Sequence, residues 1–228
     1  MAGAATPPAG AATPPPGLSR AGEEAGFYHE AGLSAVWVGA RLGLGALSFA
    51  FGSFLFAYFY LRSLNSHGRW FPPTLTSPHL WAGTLIMGLT VASAAVQAVA
   101  AQRLGAGRKA MWQRGAQAAL LLGLAAVGLQ IWELLSLPFL PGGGGFASVF
   151  TGFYPVYLLI ALATMAWLQI LRMRCRAIPA IAFTEQPPTY VEAFAVQRFQ
   201  AALSAFTLIW SYLAAVAVVA WVLFYLIP

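Results

Sequence analysis

The chain has 228 residues, 60% of them hydrophobic and only 8% charged, with a net charge of +6. So few charged residues leave almost no material for a soluble domain, and we predict a single membrane-embedded domain with short loops. The basic residues lie in loops beside apolar runs, so we expect no binding to nucleic acid. The single cysteine, Cys175, excludes an internal disulfide framework and a cysteine-based metal cluster within this chain.

The N-terminal segment differs in composition from the remainder. Residues 2–15 repeat the heptapeptide AGAATPP twice. Because proline and small residues without apolar periodicity cannot bury a core, we predict a disordered Pro/Ala-rich tail. Residues 18–33, which carry Glu23, Glu24 and Glu30, are expected to form a short cytoplasmic surface helix. Residues 1–33 thus precede a transmembrane domain predicted over residues 34–228.

Five apolar runs fill that domain, and each is long enough to cross the hydrocarbon core, which requires about 20 residues. Backbone polar groups in lipid must be satisfied within the segment, so each run predicts a helix. We therefore predict an all-α polytopic membrane protein. A basic loop after the second helix suggests a two-plus-three arrangement, in which the first two helices are separate from the last three. The predicted helices cover residues 42–61, 80–101, 115–137, 146–171 and 201–227.

Two prolines and a long loop refine these boundaries. Pro78 suits the start of the second helix, where its missing N–H costs nothing. Pro155 should kink the fourth helix or mark its true start. The segment 178–200, which contains Pro187 and Pro188, is predicted as the longest inner loop.

Lysine and arginine are distributed unequally between the two sides of the predicted domain. The N-terminal tail, the 102–114 loop, the 172–200 loop and Arg41 together carry ten of the 12 basic residues, and the opposite side carries only Arg62 and Arg69. Short cytoplasmic loops are enriched in basic residues, so the N-terminus is predicted to be cytoplasmic. Five crossings then place the C-terminus outside.

Polar chemistry within the predicted helices is sparse. The sequence has no aspartate, and the predicted helices contain no lysine or histidine. We therefore expect this chain to bind neither haem nor a metal ion in the membrane.

Glu133 is the exception, because it is the one formal charge within an apolar run. Gln130 lies three residues before it and shares its helical face. Tyr154 and Tyr157 are candidate partners on the same outer side, where Arg62 closes an aromatic belt. Glu133 could handle protons or contact lipid; alternatively, it pairs with a neighbouring helix or reaches the headgroups, which is the commoner role.

Four segments follow one another along the predicted domain: the belt at 57–62, Leu122-Gly123 with Gln130 and Glu133, the segment 151–157 (TGFYPVY), and Trp210 with 223–226 (LFYL). In this order they resemble subunit III of the haem–copper oxidases, the cytochrome c oxidase subunit III family. The resemblance covers residues 34–228 and corresponds to the five-helix bacterial form. This chain departs from the family pattern at Ala46-Leu47, where a Ser-Glu pair is usual, at Tyr154 and Tyr157, which replace two histidines, and at Ser211 and Ala214, where a His and an Asp are usual.

The resemblance implies a non-catalytic subunit of a terminal oxidase in the bacterial plasma membrane. It would pack against the catalytic subunit I, and contact with subunit II is also implied. Haem and copper would belong to the partner rather than to this chain. Phospholipid would occupy a cleft between the helix groups and meet Trp81, Trp112 or Trp132.

Three alternatives remain open at this point. The chain could serve a quinol oxidase or a nitric oxide reductase, whose accessory subunits resemble the same family. It could be a free-standing small membrane transporter, which would require broken helices and polar midplane residues. It could also be a structural membrane protein that binds a soluble partner through its Pro-rich tail.

Overall fold

The computed structural model describes residues 16–65, 68–72, 75–183 and 190–227, with the backbone alone described at 16–30, 33, 181 and 190–193. These residues form five α-helices and contain no strand, so the predicted all-α class is confirmed. A short 3₁₀ turn, Ala180–Phe183, follows α4, and a π-helical turn, Val222–Leu226, continues α5. The helices are α1 Pro16–Ser63, α2 Leu80–Gly105, α3 Lys109–Leu135, α4 Gly145–Ala177 and α5 Tyr190–Trp221.

Every one of these helices contains a segment long and apolar enough to cross a membrane. The shortest span, Leu80–Gly105, has 26 residues. At 1.5 Å per residue it is about 39 Å long, which exceeds a hydrocarbon core of roughly 30 Å. The described part of the chain is therefore that of a multi-pass membrane protein.

Helix boundaries differ from the predicted ones mainly at the termini. The segment predicted as a separate surface helix is continuous with α1, which begins at Pro16, whereas the repeat at 2–15 lies outside the described residues. Helix α5 begins at Tyr190, so the predicted inner loop is shorter than 178–200; its Pro187 and Pro188 also lie outside the described residues. Between 190 and 200 no proline or glycine interrupts the helix, which explains the early start.

Pro155 does not mark the start of the fourth helix. Helix α4 begins at Gly145 and contains Pro155 within its first half. Three glycines, at 142, 143 and 144, precede this start, and Gly142 adopts a φ of 89°, a conformation that side chains disfavour. The chain therefore turns before Gly145 and continues through the proline.

Helices α2 and α3 form the most closely packed pair. Gly107 turns the chain between them with a φ of 74°. A side chain at Gly115 would collide with Ala100, so the two backbones approach closely there. The Ser93 hydroxyl donates to the Ala119 carbonyl over 2.7 Å and accepts from the Trp210 indole at 3.1 Å, which ties α5 to the same pair.

The contacts between the helices do not separate α1 and α2 from the other three in the way that the predicted two-plus-three arrangement describes. Helix α1 packs on α4 and α5 and has at most marginal contact with α2, whereas α2 packs on α3 and α5. Phe51 on α1 lies 5.5 Å, between ring centroids, from Phe153 on α4. Small residues let α2 pack directly against α3, and aromatic side chains fill the space between α1 and α4. Helix α1 therefore packs against helices that are distant in the sequence and not against its neighbour α2.

An aromatic core lies at the end of the bundle where α1, α3 and α5 end and α2 and α4 begin, and we call this the C-terminal end. Trp70, from the loop after α1, is buried against Tyr58 and Phe146. The backbone N–H groups of Gly145 and Phe146 donate to the carbonyls of Arg69 and Trp70. The loop is thereby held across the first turn of α4 and covers this end of the core.

Candidate functional site

Four helices contribute side chains to a buried group at the C-terminal end of the bundle. We call it the terminal cluster: Tyr58 from α1, Glu133 from α3, Tyr154 from α4, and Phe224 with Tyr225 from the π-helical turn. Phe224 lies within 6 Å, between ring centroids, of both Tyr58 and Tyr154. All the aromatic contacts of Phe224 are therefore with other helices of the bundle, so the turn after α5 packs inward.

Glu133 is buried within the bundle, with 1% of its surface exposed. The Tyr225 hydroxyl donates to its Oε1 over 2.7 Å. This contact joins the end of α3 to the turn that follows α5. Glu133 thus pairs with another helical segment, which was one of the predicted alternatives. Its partner is Tyr225, which was not among the candidate partners named from the sequence.

Polar atoms remain unsatisfied beside this contact. Glu133 Oε2 and Gln130 Nε2 are both buried without a hydrogen-bond partner among the described residues. Gln130 lies on the same face of α3, three residues earlier, and is also 1% exposed. Buried groups of this kind are usually satisfied by protein or ordered water, so the face of Gln130 and Glu133 is polar in an otherwise apolar interior.

Tyr154 and Tyr157 are buried on α4 and face the interior of the bundle. Tyr157 donates to the Leu213 carbonyl on α5 over 3.1 Å. The Tyr154 ring lies 6.4 Å, between centroids, from the Tyr225 ring, which stands between it and Glu133. Of the two tyrosines predicted as partners of Glu133, Tyr154 belongs to the terminal cluster and Tyr157 ties α4 to α5.

Arg62 and Tyr58 hold the C-terminal turn against α1. The Arg62 guanidinium donates to the Ile227 carbonyl over 2.9 Å and to the Tyr58 hydroxyl over 3.0 Å. The Tyr58 hydroxyl lies within hydrogen-bond distance of the Leu223 and Ile227 carbonyls. A π-helical turn leaves carbonyl groups available at a helix end, and here those groups meet side chains of α1.

Removing the Tyr58 hydroxyl tests this clamp. We expect Tyr58→Phe to lower the free energy of unfolding by about 1–2 kcal/mol, because two partly buried carbonyl groups lose a donor. Tyr60→Phe on the same helix is the matched control, since Tyr60 is half exposed and should change stability by less than about 0.5 kcal/mol. Equilibrium unfolding by SDS in mixed micelles measures both, and equal losses would contradict the clamp.

Gly83 and Tyr58 are functional residues of this site that the sequence did not reveal. A Cβ atom at Gly83 would overlap the Tyr225 ring. The ring can therefore occupy its position only because residue 83 has no side chain. Tyr58 belongs to the run predicted as an aromatic belt, and its side chain is fully buried. A glycine within α2 indicates that another group packs closely against the helix, but it does not identify Tyr225 as that group.

An apolar cavity of about 260 Å³ lies between α1 and α5, beside the terminal cluster. Phe51, Leu55, Val216 and Leu223 are among its walls. The three tryptophans predicted to meet lipid do not share this cavity. Trp112 is fully buried and cannot contact lipid, whereas Trp81 and Trp132 are exposed and lie 5.3 Å apart between ring centroids.

The chemistry of the terminal cluster is that of one carboxyl group and buried phenols held in direct contact. No three side chains of the described residues come together as His, Cys, Asp or Glu ligands for a metal ion. His79 instead contacts the rings of Trp81 and Trp132 at the surface.

No protein-family model and no curated protein matches this sequence.

Proposed function

We propose that this chain is a non-catalytic subunit of a terminal haem–copper oxidase, similar to subunit III of cytochrome c oxidase. The observation that carries the proposal is the position of the segments on which the resemblance rests. Residues 57–62, Gln130 with Glu133, 151–157 and 223–226 are far apart in sequence, yet side chains from all four lie at the C-terminal end of the bundle. Their mutual contacts give a physical reason for their occurrence together in one chain.

The role that fits this arrangement is mechanical support. Glu133 accepts from Tyr225, and Arg62 donates to the Ile227 carbonyl, so these polar groups hold helices together at this end. A subunit of this kind would stabilise the catalytic subunit, and haem and copper would be bound by that partner.

Helix α1 offers the surface through which a partner would bind. Only 11% of the residues in its most apolar segment are buried within the chain, against 33–44% for the other four spans. Leu42, Phe49 and Phe56 are strongly exposed and recur at intervals of seven residues, which places them on one side of α1. A ridge of large apolar side chains at this spacing is suited to packing against helices of a second membrane protein.

Purification in a mild detergent tests the proposal. The tagged full-length chain should co-purify with a large membrane protein, and the preparation should have a dithionite-reduced minus oxidised haem spectrum and contain copper. A tagged, unrelated polytopic protein from the same membranes serves as the control. A colourless preparation of the lone chain would overturn the proposal, and transport assays would then be the next step.

The electron donor follows from activity of the same preparation. Oxygen consumption with reduced cytochrome c would identify a cytochrome c oxidase, and consumption with a quinol alone would identify the quinol oxidase alternative. Reduction of nitric oxide without oxygen consumption would identify the nitric oxide reductase alternative.

We further propose that the chain lies in the bacterial plasma membrane with its N-terminus in the cytoplasm. The support is the excess of basic residues at the end of the bundle where α2 ends and α3 begins. Alkaline phosphatase fused after residue 227 should be active, and the same enzyme fused after Gly105 should be inactive. The reverse pattern would overturn the orientation.

A further inference from the structure

A cavity of about 300 Å³ opens between α3 and α4 at the end of the bundle opposite the terminal cluster, and we call it the basic cavity. Two arginines of α4 face one arginine of α3 across it, and glutamine side chains complete its polar wall. It is lined by Ala110, Gln113, Arg114, Gln117, Arg172 and Arg176.

Contacts within the chain fix the walls of this cavity. The Arg172 guanidinium donates to the Gln169 side-chain oxygen over 2.9 Å, which orients it. The Lys109 ammonium group donates to the Ile178 carbonyl and thereby ties the start of α3 to the end of α4. Arg172 is therefore oriented, and the two helix ends that carry the cavity are tied together, before any ligand arrives.

The positive charge of the cavity has no nearby counter-charge among the described side chains. Glu133 is the one carboxylate among them, and it lies 19 residues from Arg114 along the same helix. At 1.5 Å per residue that separation is roughly 28 Å, well beyond a Debye length. Three guanidinium groups that share one space in this way form an anion site, and the planar donors of arginine match the geometry of phosphate.

The position of the cavity favours an anion that comes from the lipid phase. Arg114 and Arg172 each lie five residues inside the end of a membrane span. On the same side of α3, Leu121 and Leu124 are exposed and continue from Arg114 and Gln117 toward the middle of the membrane. A basic site that continues into an exposed apolar surface matches a headgroup followed by an acyl chain.

We infer that the basic cavity binds the phosphate of an anionic phospholipid, such as phosphatidylglycerol, with its acyl chain along Leu121 and Leu124. Basic pockets between transmembrane helices on the cytoplasmic side are suited to such headgroups. This site is separate from the apolar cavity beside α1, which has no charged side chain in its walls. It requires no oxidase partner, so it stands or falls apart from the proposed function.

Native mass spectrometry of the delipidated full-length chain tests the site. Dioleoyl phosphatidylglycerol is titrated against dioleoyl phosphatidylcholine, which has the same chains and a phosphate but no net charge. We expect the double variant Arg114→Gln, Arg172→Gln to weaken phosphatidylglycerol binding by about tenfold or more. The matched control is Arg103→Gln, Arg198→Gln, which removes two exposed arginines of the same end and should change binding less than about twofold.

Further arms of the experiment separate the remaining explanations. The double variant Arg114→Lys, Arg172→Lys keeps the charge and should retain part of the binding. Unchanged binding in the glutamine double variant, or an equal loss in the lysine and glutamine double variants at unchanged thermal stability, would overturn the inference. Equal weakening in both glutamine double variants would indicate diffuse attraction. Full competition by inorganic phosphate would assign the cavity to a free anion, and equal affinity for phosphatidylcholine would remove the selectivity. Displacement of phosphatidylglycerol by a co-purified acidic protein would indicate a protein ligand.

Discussion

Gly83→Ala should destabilise the protein by about 1–3 kcal/mol. A Cβ atom at this position would overlap the Tyr225 ring, and a shift of the α2 backbone would disturb its packing on α3 and α5. The ring must therefore move away, and its hydroxyl then leaves Glu133 Oε1. Equilibrium unfolding by SDS in mixed micelles measures the loss.

Gly88→Ala provides a matched control on the same helix. No atom lies within 4 Å of a Cβ built at Gly88, so this variant should be neutral or stabilising by up to about 1 kcal/mol, the helix-propensity difference between glycine and alanine. A destabilised Gly88→Ala would mean that α2 tolerates no added methyl group at all.

A double-variant cycle separates overlap with the ring from other effects at Gly83. In a Tyr225→Ala background the ring is absent, and Gly83→Ala should then cost less than about 0.5 kcal/mol. If the penalty in that background equals the penalty in the wild type, the contact between Gly83 and Tyr225 does not determine it.

The number and type of the helices could be predicted from the sequence because the membrane imposes them. A run of about 20 apolar residues has few alternatives to a helix in lipid. Glu133 could be singled out for the same reason, since a charge within such a run requires a partner. Both inferences depend only on where apolar and charged residues lie along the chain, and this can be read directly from the sequence.

The packing of the helices could not be predicted in this way. Lipid and protein interior are similarly apolar, so hydrophobicity does not reveal which face of α1 meets α4 and α5. Tyr58 and Tyr60 look alike in one aromatic run, yet one is fully buried and the other half exposed. Tyr225, the partner of Glu133, lies in the π-helical turn that continues α5. A turn of this kind contains one residue more than an α-helical turn, and the local sequence does not predict it.

Glu133→Ala should lower the free energy of unfolding by about 1–3 kcal/mol, because the Tyr225 hydroxyl would remain buried without an acceptor. Glu133→Gln should cost less, since a glutamine oxygen can accept the same hydrogen bond. Met111→Ala is the control on α3: its side chain is exposed, lies far from the terminal cluster and does not line the basic cavity, so stability should be nearly unchanged.

In the proposed oxidase complex, the same variants distinguish support from proton transfer. If Glu133 holds α3 to the C-terminal turn, Glu133→Gln should reduce the amount of assembled complex recovered in detergent more than it reduces turnover per assembled complex. Its carboxyl group is in direct contact with Tyr225 and is shielded from solvent, which favours a role in holding these two segments together. Normal assembly with abolished turnover would assign Glu133 to proton handling and would contradict this role.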